Sequence, residues 1–253
     1  MPVAPRLVLY DFHLSCYIAG MNKPRLVILT GAGVSAESGL KTFRDSDGLW
    51  ENYNVYEVAT PEAWDANPGL VLEFYNARRK QIAEAAPNKA HTLIALLDDY
   101  FDTTIITQNI DDLHERAGSN KIIHLHGEIM NASSSFNREL LYPLKDKLTI
   151  ELGEKCELGS QLRPDVVWFG EGVPKMEEAI DEAAIADIFV IVGTSLNVYP
   201  AAGLVQYIPS SCKIYLVDLH DVYVPHLDHR VHKILRNASD GCEILLNLLL
   251  KNV

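Results

Sequence analysis

Short runs rich in Ile, Val, Leu and Thr recur along this chain at Leu26–Leu29, Thr104–Thr107, Ile122–Leu125, Ile188–Val192 and Ile214–Val217, and none alternates cleanly with polar residues. A strand with one wet face must alternate, because successive side chains point to opposite sides. Unalternating runs mark strands covered on both faces, the condition of a parallel sheet between helix layers. Helical patterns separate the runs, and strand–helix–strand repeats join parallel neighbours by right-handed crossovers. The pattern predicts an α/β fold built on a Rossmann-like parallel sheet. Two stretches leave the alternation. Residues 45–90 hold aromatics and a helix but no clear strand, and residues 128–163 are polar, Ser-rich and irregular. Together they are expected to form a smaller inserted lobe, with a cleft between the lobes.

The 253 residues suffice for a core without disulfide or metal staples. Lys and Arg number 22 against 34 Asp and Glu, a net charge of −12. That balance disfavours a nucleic-acid binder and suits cationic partners such as Lys-rich peptides. No apolar run is long enough to span a bilayer, so no membrane partner is expected. The four cysteines, at 16, 156, 212 and 242, form no CxxC pair, and a reducing cytoplasm is the simplest setting. Residues 1–20 contain a faintly signal-like stretch interrupted by Asp11 and His13. They are expected to be an extension outside the core, with residues 21–253 forming one unit. Nothing in the sequence sets the oligomeric state.

The first strand runs directly into Thr30-Gly31-Ala32-Gly33-Val34-Ser35-Ala36-Glu37-Ser38-Gly39. Gly31, Gly33 and Ala36 fit G-x-G-x-x-G/A, where glycines let a backbone approach phosphate and the next helix start offers free N–H donors. A dehydrogenase would continue into a second strand ending in Asp or Glu. Here Thr42-Phe43-Arg44-Asp45 follows instead. Arg44 is placed to meet phosphate and Phe43 to shield a cofactor ring. The strand end Thr107-Gln108-Asn109-Ile110-Asp111 offers amides and a carboxylate where open sheets bind ligands. His124-Leu125-His126-Gly127 closes another strand, with both histidines expected on one face. Gly127 leaves room beside His126, which makes His126 the candidate base and His124 a structural histidine. A metal set of Asp111, Asp112, His114, His124 and His126 is the alternative. Gly193-Thr194-Ser195 forms a third loop of phosphate or ribose contacts, and Asp218 is suited to a ribose.

These stretches, GAGVSAESGLKTFR (31–44), TQNID (107–111), HLHG (124–127), LRPDVVWFGE (162–171) and GTSLNVYPAAG (193–203), resemble in order those of the sirtuin family of NAD-dependent protein lysine deacylases. The resemblance implies NAD in the cleft, lined by Ala32, Phe43, Arg44, Gln108, Asn109, Asp111, Gly193, Thr194 and Ser195. It places Gly31, Gly33, Glu37, Ile110 and Ala238 beside them. It makes His126 the general base and acylated protein lysines the substrates, yielding nicotinamide and O-acyl-ADP-ribose. It implies that Val167, Trp168 and Phe169 pair with the substrate peptide. Most sirtuins also carry two CxxC pairs around zinc. Here those places read Asn131-Ala-Ser-Ser-Ser-Phe136 and Cys156-Glu-Leu-Gly159, so no zinc is expected.

Asn67-Pro68 is a good helix start. Val71, Phe74, Tyr75, Arg78 and Ile82 then share one face, which puts Arg78 on an apolar stripe beside Tyr75. A guanidinium there either snorkels, forms an internal salt bridge, or meets a substrate carboxylate. The resemblance favours the last. A Tyr-x-x-Arg pair preceded by a small residue such as Ala59 marks the bacterial branch acting on succinyl and malonyl as well as acetyl groups. Two rivals remain, a metal-dependent hydrolase and a silent NAD or ADP-ribose sensor.

Overall fold

The computed structural model describes residues 23–41, 49–50, 53–144 and 147–251. In chain order its strands are β1 (Arg25–Thr30), β2 (Leu49–Trp50), β3 (Tyr53–Asn54), β4 (Asp102–Thr107), β5 (Ile122–His124), β6 (Gly127–Ser134), β7 (Leu141–Pro143), β8 (Leu162–Val166), β9 (Ile188–Val192), β10 (Lys213–Asp218) and β11 (Val231–Leu235). Its α-helices are α1 (Val55–Val58), α2 (Pro61–Ala66), α3 (Pro68–Glu84), α4 (Lys89–Leu96), α5 (Leu113–Arg116), α6 (Met176–Ala184) and α7 (Ala238–Leu250). The expected extension at residues 1–20, and Phe43 and Arg44, lie outside the described residues.

Six strands form one parallel sheet in the order β11-β10-β9-β1-β4-β5. Val27, Leu29, Phe189 and Ile191 point into one core layer, and Leu26, Ile28, Val190 and Val192 into the other. Neighbouring residues of each strand thus enter different cores, which is why these strands do not alternate. All five expected strands are in the sheet. The sixth, β11, escapes a sequence reading because it lies at the edge and is only partly buried, so Val-His-Lys-Ile-Leu carries no continuous apolar signal.

The irregular reading of residues 128–163 is corrected. Within them β6 is the central strand of an antiparallel sheet in the order β7-β6-β8. Its serines are buried rather than looped out: Ser133 and Ser134 are fully covered, and the Ser134 hydroxyl accepts the N–H groups of Phe136 and Asn137. Residues 45–90 hold the small hairpin β2–β3 as well as helices. Helix α3 starts as its sequence directs, with the Asn67 side chain accepting from Leu70 N at 3.1 Å and Pro68 in the first position.

Two successive arginines on α3 are both buried, Arg78 at 7% and Arg79 at 0% exposure. One step along a helix turns ~100°, so they face different surroundings. Arg79 joins α3 to the small lobe. Its Nε donates to Ile129 O at 2.6 Å, and another nitrogen donates to Leu148 O at 3.1 Å and Asn76 Oδ1 at 2.8 Å. Burial lowers its pKa to about 10, which leaves it charged at neutral pH. Asn76 completes the joint through both the N–H and the carbonyl of Ile150. Arg79→Met keeps most of the stem but strands the buried Ile129 carbonyl and the half-buried Leu148 carbonyl. The expected cost is about 3 kcal/mol, or a fall of roughly 6–12 °C in melting temperature. An unchanged thermal transition would remove Arg79 from this role.

Candidate active site

Three loops at the carboxyl ends of the central strands meet through their backbones. Gly31 N donates to Val192 O at 3.0 Å, and Gly33 N donates to Gly193 O at 2.9 Å. A Cβ on Gly33 would sit 2.7 Å from Gly193 Cα, and one on Gly193, whose φ is +61°, 2.5 Å from Val34 N. Glycine is therefore required where the two turns interlock. The expected helix after the glycine turn is not there. Residues Ala32–Val34 and Ala36–Ser38 are two separate 3-10 turns, and the Gly31 and Gly33 donors serve the neighbouring loop. Glu37 accepts from Ser239 N at 2.9 Å and so ties this loop to the start of α7 beside Ala238.

The β4 end supplies the next layer. Gln108 donates to Thr194 Oγ1 at 3.0 Å, and Asn109 donates to Gly31 O at 3.2 Å and Ser35 Oγ at 3.1 Å. Asp111 accepts from Ser35 at 3.1 Å and from Leu113 N at 3.2 Å. Burial raises its pKa, opposed by these hydrogen bonds and by the charge of His124. Asp218, also buried, accepts from His220 N at 2.9 Å.

The two histidines of HLHG do not share a strand face. Strand β5 ends at His124, and residues 125–126 turn. His126 Nδ1 lies 2.9 Å from Gln108 O. A carbonyl only accepts, so Nδ1 carries the proton and Nε2 is the basic nitrogen. Burial lowers the His126 pKa and the Gln108 hydrogen bond restores part of it, so the ring is neutral at physiological pH. At Gly127, with φ +79°, a Cβ would lie 2.3 Å from Asp165 O. Glycine there lets β8 pass close enough for Val167 N to donate to His126 O at 2.9 Å.

The segment after β8 forms an apolar wall. Trp168 is buried against Trp64, and the Arg163 guanidinium carbon stands 3.4 Å from its ring centroid. Glu171 receives Arg163 in a two-pronged pair at 2.7 and 3.0 Å, and also the Trp168 N–H at 2.7 Å. Arg163 and Glu171 were not singled out from the sequence. Opposite charges bracketing the apolar run Val166–Phe169 were the available signal. Phe169 N donates to Ala59 O at 3.0 Å, joining this wall to α1.

One cavity of about 370 Å³ is lined by all of these pieces: Gly31, Ala32, Gly33 and Glu37; Gln108, Asn109, Ile110 and Asp111; Gly193, Thr194 and Ser195; Asp218 and Ala238; Ala59, Tyr75, Arg78, Val167, Trp168 and Phe169; and His126. Lys41, Val173, Tyr199 and Arg236 line it as well; Lys41 and Tyr199 lie in the stretches 31–44 and 193–203 without having been singled out there, and nothing in the sequence marked Val173 or Arg236. Arg78 donates to Lys41 O at 3.2 Å and contacts Gln81 Oε1 at 3.4 Å. Tyr75 is fully buried, which pushes its hydroxyl pKa up.

The alternative metal set is dispersed. His114 Nε2 faces Thr30 Oγ1 at 3.1 Å, His124 faces Glu115, and Asp112 pairs with Arg116. Among the described residues, no three His, Cys, Asp or Glu side chains are grouped to hold an ion. No helix among the described residues is long and apolar enough to cross a membrane.

Comparison with known proteins agrees with this layout. A chain from Bacteroides thetaiotaomicron named NAD-dependent protein deacylase is 52% identical over 229 residues, covering 89% of this chain and 97% of that one. A Helicobacter pylori chain of the same name is 48% identical over 226 residues, with coverages of 89% and 97%. The crystal structure of a Sir2 homolog–NAD complex superposes with a TM-score of 0.80 at 36% identity, covering 91% of each chain. A Sir2–p53 peptide–NAD+ complex superposes at 0.73 and 28% identity, covering 90% of this chain and 95% of that one. The Sir2 family pattern matches residues 31–200, two thirds of the length, and the chain belongs to the Sir2 family.

Proposed function

We propose that this protein is an NAD-dependent protein lysine deacylase that removes acetyl, succinyl and malonyl groups, releasing nicotinamide and O-acyl-ADP-ribose. The observation that carries the reading is a neutral histidine, His126, held through Nδ1 by Gln108 O in a cavity that joins the glycine loops to the Tyr75–Arg78 wall. The names of the relatives support NAD and protein substrates.

The donor set fits the cofactor. Thr194 and Ser195 offer hydroxyls, Arg236 and Lys41 offer positive charge for phosphates, and Asp218 and Asn109 offer polar partners for sugar hydroxyls. NAD, when bound, supplies an electrophilic ribose carbon, nicotinamide as the leaving group, and the ribose hydroxyl that later receives the acyl group. His126 Nε2 accepts the proton of that hydroxyl, while Gln108 O steadies the ring as it becomes charged. Trp168 and Phe169 exclude water from the reacting centre. The carbonyls of Val167 and Phe169, whose N–H groups are already bonded within the protein, accept from the substrate main chain. Arg78 and Tyr75 receive the terminal carboxylate of a dicarboxyl acyl group.

The test compares nicotinamide release from NAD with acetyl-, succinyl- and malonyl-lysine peptides. NAD-dependent release with all three is expected. Deacylation that needs a metal but no NAD would replace the reading with a hydrolase, and nucleotide binding without nicotinamide release would replace it with a sensor.

The proposal includes a small lobe that needs no zinc. Cys156 Sγ lies 3.4 Å from Ser134 Oγ and 3.1 Å from Ser160 Oγ, and these hydrogen bonds lower its pKa to about 7. One thiol among hydroxyls is a poor zinc set. Purified protein is expected to carry no stoichiometric zinc by elemental analysis, and a strong chelator should leave activity and melting temperature unchanged. One zinc per chain would refute this.

A further inference from the structure

Two consecutive carbonyls at the end of β4 each hold a histidine ring. Gln108 O holds His126, and Asn109 O holds His124 Nδ1 at 3.1 Å. The rings differ at their far nitrogens. The His124 far nitrogen, Nε2, lies 2.7 Å from the Glu115 carboxylate, and its side chain is 4% exposed. Both of its partners can only accept hydrogen bonds. Satisfying both therefore requires both ring nitrogens to be protonated, which makes the ring a buried cation.

We propose that His124 is a positioning residue of the reaction, held doubly protonated between Glu115 and the Asn109 carbonyl, where it fixes the 109–110 peptide, next to the 108–109 peptide whose carbonyl orients His126, and provides the cation facing Asp111. The proposal rests on the deacylase reading only for the reaction that His124 serves. Asn109 is an informative place to act. Its side chain grips Gly31 O and Ser35, and Ser35 in turn donates to Asp111, so a movement of this peptide would reach the glycine loop and His126 together.

The charges around the ring agree with the geometry. Burial alone would lower the His124 pKa, but the Glu115 hydrogen bond and the charges of Glu115 and Glu128 outweigh it and raise it. On the neighbouring segments His124 also faces Asp111 and His114, while Lys175 and His91 face Glu115 and Asp112 faces Asp111. Neighbouring His114 is pushed down by burial and by the charges of His91 and His124, so it stays neutral and does not compete for the Glu115 charge. A raised folded-state pKa means that the interaction is complete at low pH and is lost as pH rises through that value.

Glu115→Gln separates charge from shape, since the amide oxygen still accepts from Nε2 while the anion is gone. The full chain, labelled with nitrogen-15 histidine, reports ring protonation directly, with His124→Gln assigning the signal. In the wild type both His124 nitrogens should be protonated at about pH 7 and remain so where an ordinary imidazole is neutral. In Glu115→Gln the ring should lose its second proton at lower pH. The alkaline limb of kcat/KM for NAD should move to lower pH with it. At a fixed pH beyond the limb, activity should fall about tenfold for each pH unit that the limb moves, while KM for the acyl peptide is unchanged. A neutral His124 at about pH 7 in the wild type would overturn the proposal, as would a Glu115→Gln profile that superposes on the wild type. A wild type without NAD-dependent turnover would instead overturn the deacylase reading and, with it, the reaction assigned to His124.

Discussion

His126→Ala is expected to lose deacylation by about 10²–10⁴-fold while still binding NAD. The ring lines the cavity but is tied to the protein through Gln108 O, so its removal leaves the glycine loops and the β4 end joined as before. The loss should fall on kcat, because the base acts after the cofactor has docked. On the acidic side, wild-type activity should hold until pH falls through the His126 pKa, which burial places below the ordinary imidazole value of 6.5. The acidic limb should therefore lie below that value and be absent from the residual activity of the variant. Isothermal titration with NAD and a pH–rate profile check both statements. Near-wild-type turnover would remove His126 from the mechanism.

Arg78→Met should change acyl preference rather than general activity. Arg78 lines the cavity on the buried face of α3, one turn from Tyr75. A charge-assisted hydrogen bond to a substrate carboxylate contributes ~1.5–3 kcal/mol, so succinyl and malonyl peptides should lose roughly ten- to a hundred-fold in kcat/KM. The loss should appear mainly in KM, because the carboxylate lies away from the reacting carbonyl. Acetyl-lysine has no carboxylate, and its turnover should hold or improve in a more apolar pocket. Tyr75→Phe should move the same ratio in the same direction, by less, since it removes one neutral donor. Equal losses on acetyl and succinyl peptides would make Arg78 a structural residue holding Lys41 O, and the dicarboxyl preference would fall.

The legible parts of the site are those encoded by local backbone demands. Interlocking turns tolerate only glycine at 31, 33 and 193, and a strand end carrying Gln108, Asn109 and Asp111 opens where parallel sheets bind ligands. The amphipathic face of α3 was equally readable, including Tyr75 and Arg78. Arg79 was not, because an arginine one step off the stripe reads as solvated unless the opposing lobe is known. The antiparallel lobe was hidden for a related reason. Small hydroxyl side chains such as Ser133 and Ser134 give no hydrophobic period, and their burial depends on partners in β7 and β8.

Sequence by itself determined the parallel sheet, the glycine loops and the family, because strand burial and close backbone approach restrict residue type at each position independently. The residue order already set His126 apart from His124 as the candidate base, because Gly127 leaves room beside it, but only the tertiary structure supplied the partners of the two rings. His124 and His126 differ in their far partners, Glu115 for the first and the cavity for the second. Likewise only the fold placed Arg163 over Trp168 and Glu171 beneath its backbone. Such contacts join residues distant along the chain, and their strength depends on the exclusion of water from both partners at once.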